Sequence, residues 1–245
     1  MLSKAQIQLI QSLKQKKFRE IHRLFVVEGI KNVVELFGSN LRINQLIVRN
    51  SDFEHFQTLC PNEIKCISVD SKTIERISTY VTPQPVIAVV EIPQPSEIKL
   101  SKGCNLILDD IKDPGNMGTI IRLADWYGIN QIICSHQSVD IYNPKTVQAA
   151  MGSLFRVNVA FTELTSFIQN NPLPIYGAVL EGQNIHQTVF PESFYMMMGN
   201  EANGINDTLK ALIQYPVTIP RFGEAESLNV GVATAIILDN IFRAQ

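Results

Sequence analysis

The feature that most limits the fold of this chain is a set of short apolar runs that do not alternate with polar residues. NLIL (from Asn105), QIICS (from Gln131) and FYMMMG (from Phe194) are the clearest, and VIAVV (from Val86) is similar. A strand with one face in water alternates, whereas one covered on both faces is apolar throughout, as in parallel sheets sandwiched by helices. Further strands are expected at LFVVE, INQLIV, IKCISV, RVNVAF, PIYGAVL and PVTIP. Helical spacing fills most intervals. Ile30, Val33, Val34 and Phe37 recur at i, i+3, i+4 and i+7, and Asn229 to Arg243 forms a long apolar helix. Strands alternating with helices over 245 residues indicate an α/β protein.

The alternation is interrupted once. EIPQPSEIKLSKG, ending at Gly103, holds two prolines, two serines and few large apolar groups. It divides the chain into an α/β domain over residues 1–95, a linker over 96–103 and a larger parallel-sheet domain over 104–245. On this division a piece starting near Ser101 is expected to fold by itself.

Charge is uneven. The net charge is −2, yet residues 1–25 carry Lys4, Lys14, Lys16, Lys17, Arg19 and Arg23 against Glu20 alone. A solvated helix face and a contact for a polyanion both account for this cluster. The four cysteines form no C-x-x-C pair and the four histidines are scattered, so neither a disulfide frame nor a metal site is expected. No apolar run approaches a membrane span, and the N-terminal residues lack a secretory pattern. A cytoplasmic protein without a membrane anchor is the expectation.

Three strand ends in the larger domain run into polar, glycine-bearing sequence, where ligands of open α/β sheets bind. In DDIKDPGNMGTIIRLADWYGI, Asn116 is positioned to cap a helix that carries Arg122. In MMMGNEANGIND, Gly199 and Gly204 flank Glu201. In VTIPRFGEAESLNVGVATAIIL, Ser227 or Asn229 caps the last helix. Taken singly, each also reads as an ordinary strand–turn–helix corner. No G-x-G-x-x-G, P-loop or G-x-S-x-G motif is present, which argues against dinucleotide, nucleoside-triphosphate and serine-hydrolase chemistry. Asp109 and Asp110 point to opposite strand faces and do not form an acid/base couple.

In order and spacing, DPGNMGTIIRLADWYGI, GNEANGI and IPRFGEAESLNVGVATAIIL together resemble the three motifs of the SpoU/TrmH family of RNA ribose 2′-O-methyltransferases. VEGIKNVVELF resembles, less specifically, the RNA substrate-binding domain of rRNA-directed members, an α/β/α unit like a small ribosomal RNA-binding protein. The resemblance implies a SPOUT domain whose parallel sheet is closed by a deep trefoil knot, and a homodimer with a shared active site. It implies S-adenosylmethionine as cofactor, no metal, and structured RNA as partner, with rRNA favoured over tRNA. A non-catalytic RNA-binding protein of the same fold is a further alternative. Matched position by position, it makes Asn116, Arg122, Glu201, Ser227 and Asn229 the catalytic set, with Glu201 and Asn116 orienting Arg122. It places Gly199, Ile219 and Leu228 against the cofactor, and the basic cluster Lys14, Lys16, Lys17, Arg19 and Arg23 against RNA. One departure is Ala202, where many members have glycine.

Overall fold

The computed structural model describes residues 2–243. In chain order the first elements are α1 (Lys4–Ser12), α2 (Lys16–His22), β1 (Leu24–Glu28), α3 (Ile30–Phe37), β2 (Ile43–Arg49), α4 (Phe53–Leu59), β3 (Cys66–Val69), α5 (Ser71–Ile77) and β4 (Val86–Glu91). There follow β5 (Gly103–Leu108), α6 (Pro114–Trp126), β6 (Gln131–Ser135), α7 (Pro144–Ala150), β7 (Asn158–Thr162), α8 (Leu164–Asn170) and β8 (Ile175–Asn184). The last are β9 (Ser193–Met198), α9 (Asp207–Lys210), β10 (Tyr215–Thr218) and α10 (Val230–Phe242). No helix among the described residues is long and apolar enough to cross a membrane.

The chain forms two compact units, and the division does not follow the linker alone. The first unit is Met1–Gln94 together with Asp140–Arg156, and the second is Pro95–Val139 with Val157–Gln245. In the first, the sheet order is β1-β4-β2-β3, with β4 antiparallel to both neighbours and β2 parallel to β3. Ile7, Ile10 and Leu13 from the α1 region pack with Val26, Ile47, Ile74 and Ile87 in its core. A capping box starts α1: Gln6 N–H donates to Ser3 Oγ at 3.2 Å and Ser3 N–H to Gln6 Oε1 at 2.9 Å.

The segment 140–156, expected in the larger domain, belongs instead to this first unit. Arg19 explains how it is held. Its guanidinium is buried, donating from Nε and Nη2 to Asp140 Oδ2 at 3.0 and 2.6 Å, and from Nη1 to Leu13 O at 2.7 Å. Beside this pair, the rings of Phe25 and Tyr142 pack with centroids 4.7 Å apart. The face expected for α3 is also rotated. Val33 and Leu36 are buried with Asn32, while Ile30 and Val34 are largely exposed. Leu36 carries the apolar face round the helix, away from the Ile30–Val34 edge.

In the second unit all six strands are parallel, in the order β10-β8-β9-β5-β6-β7. Ile107, Ile133, Ile175, Tyr195 and Met197 share one core cluster with Leu164, Ile168 and Leu209. Both sheet faces are covered, which is why these strands lack alternation. Helix α10 packs on α6, where a Cβ on Gly231 would stand 3.2 Å from Thr119 Cγ2.

Candidate active site

The first loop follows β5. Asp113, not Asn116, caps α6: its Oδ1 accepts from Asn116 N–H at 2.8 Å, and Pro114 takes the first helical position. Asn116 therefore sits in the first turn with its side chain available for other bonds. The expectation that Asn116 is the cap fails because DP is the better start signal: an acceptor side chain followed by a residue with no N–H to satisfy.

The second loop follows β9 and closes on itself. Asn200 and Gly204 exchange two backbone hydrogen bonds, each 2.9 Å. A Cβ on Gly199 would lie 2.3 Å from the Gly204 carbonyl carbon, so only glycine fits this crossing. Asn200 Oδ1 accepts from Ala202 N–H at 2.8 Å and Asn203 N–H at 3.2 Å, while its Nδ2 donates to Asp110 O at 2.8 Å. Ala202 is not among the positive-φ residues, so the methyl group there imposes no strain.

The third loop leaves β10 after Thr218. Residues 221–229 are all exposed, and Ser227 makes no hydrogen bond to any described residue. Leu228 is an exposed apolar side chain, and Ile219 is half-buried. Asn229 ends the loop by capping α10, its Oδ1 accepting from Gly231 N–H at 3.0 Å and Val232 N–H at 3.2 Å.

One hydrogen-bond chain joins the three loops. Asn229 Nδ2 donates to Asn116 Oδ1 at 2.9 Å, and Asn116 Nδ2 donates to Glu201 Oε1 at 2.6 Å. Its polarity is dictated from one end. The helix amides claim Asn229 Oδ1, so Asn229 must present its NH₂ to Asn116; Asn116 then presents its own NH₂ to Glu201. Glu201 Oε2 makes no bond to any described residue.

Arg122 is not brought to this chain. It is exposed on α6, and its side chain makes no hydrogen bond or ion pair with any described residue. Six residues along a helix correspond to about 9 Å of rise and roughly a third of a turn of angular offset, so Asn116 and Arg122 face different directions. Within the chain, then, Glu201 and Asn116 bind each other and do not orient Arg122.

Among the basic cluster, Lys14, Lys16 and Lys17 are exposed, with Lys16 facing Glu20 at 3.8 Å. Arg19 is buried against Asp140 and is unavailable to RNA. Arg23 is exposed but holds Ile92 O and Pro93 O through Nη2. Its φ of +52° ends α2.

The simple strand expected at PIYGAVL hides a feature of the site. The pairing of β8 with β10 jumps from Gly177–Pro216 to Gln183–Val217, so Ala178–Gly182 bulges out beside the third loop. Thr218 Oγ1 donates to Leu180 O at 3.0 Å, and the Leu180 side chain is exposed. A Cβ on Gly182 would come within 2.7 Å of the Pro216 backbone. The glycines at 177 and 182, bracketing the run, are the signal in the sequence.

Comparison with known proteins bears on the family and the fold. Residues 103–239 match the SpoU rRNA Methylase family, and residues 4–88 match the MRM3-like substrate binding domain. The chain is 30% identical, over 92% of its length and 91% of the relative's, to 23S rRNA (guanosine(2553)-2'-O)-methyltransferase RlmP of Bacillus subtilis (strain 168). A structure from Porphyromonas gingivalis described as belonging to the TrmH family superposes with a TM-score of 0.89 at 35% identity, covering 100% of both chains. The AdoMet-bound rRNA methyltransferase from Sinorhizobium meliloti superposes with a TM-score of 0.88 at 29% identity, covering 100% of this chain and 97% of that one. On the match over the parallel-sheet unit and on the full-length relative, the chain belongs to the SpoU rRNA methylase family.

Proposed function

We propose that this protein transfers a methyl group from S-adenosylmethionine to a ribose 2′-hydroxyl of 23S rRNA. The observation that carries the reading is the Glu201–Asn116–Asn229 chain, which ties three loops together at the C-terminal end of a parallel sheet. The B. subtilis relative's name and the AdoMet-bound S. meliloti structure support the substrate and the cofactor.

The residues fit the cofactor. Gly199 follows β9 and Ile219 follows β10, with the bulged end of β8 between those strands in the sheet. Exposed Leu228 and half-buried Ile219 offer apolar contact for an adenine, and the loop after Gly199 offers backbone groups. When bound, the cofactor supplies an electrophilic methyl group on a sulfonium.

The chain must position the hydroxyl in line with that methyl group and manage its proton. Holding two reactants in attack geometry is worth roughly 7–11 kcal/mol, so alignment is the larger contribution. A guanidinium is a poor base near neutrality, so Arg122 is not assigned the proton. It clamps the neighbouring phosphate and stabilises charge developing on the 2′-oxygen, while the proton leaves to phosphate or water. Ser227 and Asn229 hold the third loop and the ribose.

Because Arg122 does not reach the chain of its own protomer, the site is read as shared, with Glu201 Oε2 receiving Arg122 of a second copy. The exposed apolar side chains of Trp126 on α6 and Val232 on α10 support a dimer through these helices. The trefoil knot belongs to the same reading, supported by β9 lying between β8 and β5 and by the return of α10 to α6. Residues 1–95 are assigned to gripping RNA, 96–103 to the link and 104–245 to catalysis, with 140–156 packed into the first unit.

Mapping 2′-O-methyl groups across rRNA from cells with and without the gene tests the function. Loss of one 23S methyl group, restored by the purified protein with S-adenosylmethionine, is expected. An unchanged map overturns it.

A further inference from the structure

Helix α2 turns one side inward and leaves the other to solvent. Arg19 is 2% exposed and bound to Asp140 and Leu13 O, whereas Lys17, Ile21 and His22 are exposed. Residues four apart on a helix are neighbours, so Lys17 lies beside Ile21 and Phe18 beside His22. The rings of Phe18 and His22 stack, with centroids 6.4 Å apart and planes inclined by 15°. Phe18 is half-buried and anchors the pair, while the His22 side chain makes no hydrogen bond to any described residue. Ile21, on the same side, is 60% exposed.

The charge around this pair is mostly of one sign. Lys14 and Lys17 are exposed, and neither side chain pairs with any described residue. Lys16 faces Glu20 at 3.8 Å, with both side chains exposed, a contact that solvent weakens. Arg23 follows His22 directly. Its Nη2 donates to Ile92 O at 3.1 Å and Pro93 O at 2.8 Å, which fixes the guanidinium at the end of α2. Its Nε and Nη1 have no partner among the described residues. A tethered guanidinium loses less rotamer freedom on taking a phosphate than a free one does.

The combination selects a class of partner. Cations alone suit any polyanion, because they sense only the phosphate backbone. A ring pair with one exposed member, set among those cations, suits an unpaired base. Every base has a π-face, and bases splayed out of RNA stack on aromatic and histidine rings. A duplex hides its base faces, and a protein surface brings no row of phosphates to the cations.

We propose that α2 holds a single-stranded stretch of the RNA substrate, with one unpaired base stacked on His22 as a third ring beyond Phe18 and the adjoining phosphates on Lys17 and Arg23. This rests on the reading above that the substrate is RNA. The rings add a preference for unpaired nucleotides to a cluster that by charge alone would bind any nucleic acid.

The test uses the full-length protein and two probes, a short oligouridylate carrying one 2-aminopurine and a fully paired RNA duplex of the same length. Stacking on a ring quenches 2-aminopurine fluorescence. The unaltered protein is expected to quench it and to prefer the single strand. His22→Ala should abolish the quench and weaken single-strand binding by about 5- to 100-fold, the effect of one base–aromatic stack. Duplex binding and S-adenosylmethionine affinity should not change. His22→Phe should keep both the quench and the affinity, because the base needs the ring and not an N–H or a charge. Lys17→Gln should flatten the log–log salt dependence by roughly 0.7 and keep the quench. No quench by the unaltered protein, equal losses in His22→Ala and His22→Phe, or the same loss on the duplex overturns the proposal. Quenching by a protein that methylates no ribose would support the α2 site and overturn the functional reading instead.

Discussion

Asn229 Nδ2 lies 2.9 Å from Asn116 Oδ1, and this contact makes the N-terminus of α10 set the direction of every bond up to Glu201. An amide is needed at both asparagine positions because each must accept on one side and donate on the other.

Asn116→Asp tests that directionality with almost no change in shape. The substitution removes the donor to Glu201 and sets a second carboxylate about where the amide nitrogen stood, 2.6 Å from Glu201 Oε1. Methyl transfer is expected to fall by about 10²–10³-fold, the usual loss for one preorganised donor. S-adenosylmethionine affinity, measured by calorimetry, should stay within a few-fold, because the cofactor is assigned to the second and third loops. A variant with near-normal kcat would show that the chain is scaffolding alone.

The parallel sheet and all three loops were legible because burial on both faces and strand-end glycines leave direct marks on local sequence. What was not legible depended on partners distant in sequence. Arg19 looks like its neighbours Lys16 and Lys17 until Asp140, 121 residues away, is seen to take its charge. Asn116 and Asp113 are both good caps by type, and only the proline between them favours Asp113. The bulge of β8 is set by its pairing with β10, which no window of the sequence reports.

Arg19 and Asp140 also bear on stability. Asp140→Ala leaves a buried guanidinium without its counter-charge, which typically costs about 3–5 kcal/mol. Denaturant unfolding should show a loss in that range, and Arg19→Met with Asp140→Leu should recover most of it. The same geometry alters what truncation is expected to do. Removing residues 1–100 strips the partners from Ile141, Val147, Ala150 and Leu154, all buried. Such a piece should aggregate or lose α7, contrary to the independence that the linker suggests. A soluble, cooperatively unfolding fragment with full cofactor affinity would show that 140–156 finds other cover.

RNA affinity should fall steeply with salt, and the three exposed lysines should account for part of the slope. Removing one lysine that neutralises a phosphate reduces the log–log slope by roughly 0.7–0.9. Lys14, Lys16 and Lys17 changed together to Gln are therefore expected to flatten it by up to about 2–3. Arg19 is left out because its charge is already spent on Asp140. An unchanged slope returns the cluster to a solvated helix face.

Arg122 separates two mechanisms and one assembly. Arg122→Ala should abolish methyl transfer with S-adenosylmethionine affinity within a few-fold of the unaltered protein. Arg122→Lys keeps a positive charge but loses the planar fork that grips phosphate, and it deprotonates more readily. If the residue takes the proton, the lysine variant retains substantial activity that rises with pH toward about 10.4, as the neutral amine accumulates. If it clamps phosphate and alkoxide, lysine is nearly as poor as alanine and shows no such rise, and this is the expected result. The exposed position of Arg122, offset from Asn116 on α6, adds a test of sharing. Chains carrying Arg122→Ala are mixed with chains carrying Asn229→Ala, each inactive alone. Where a site combines Arg122 of one copy with Asn229 of the other, half of its two sites in a mixed dimer are intact and activity partly returns. No recovery, with subunit exchange demonstrated by differently tagged chains, would mean that Arg122 reaches the Glu201 chain of its own protomer by a movement of α6.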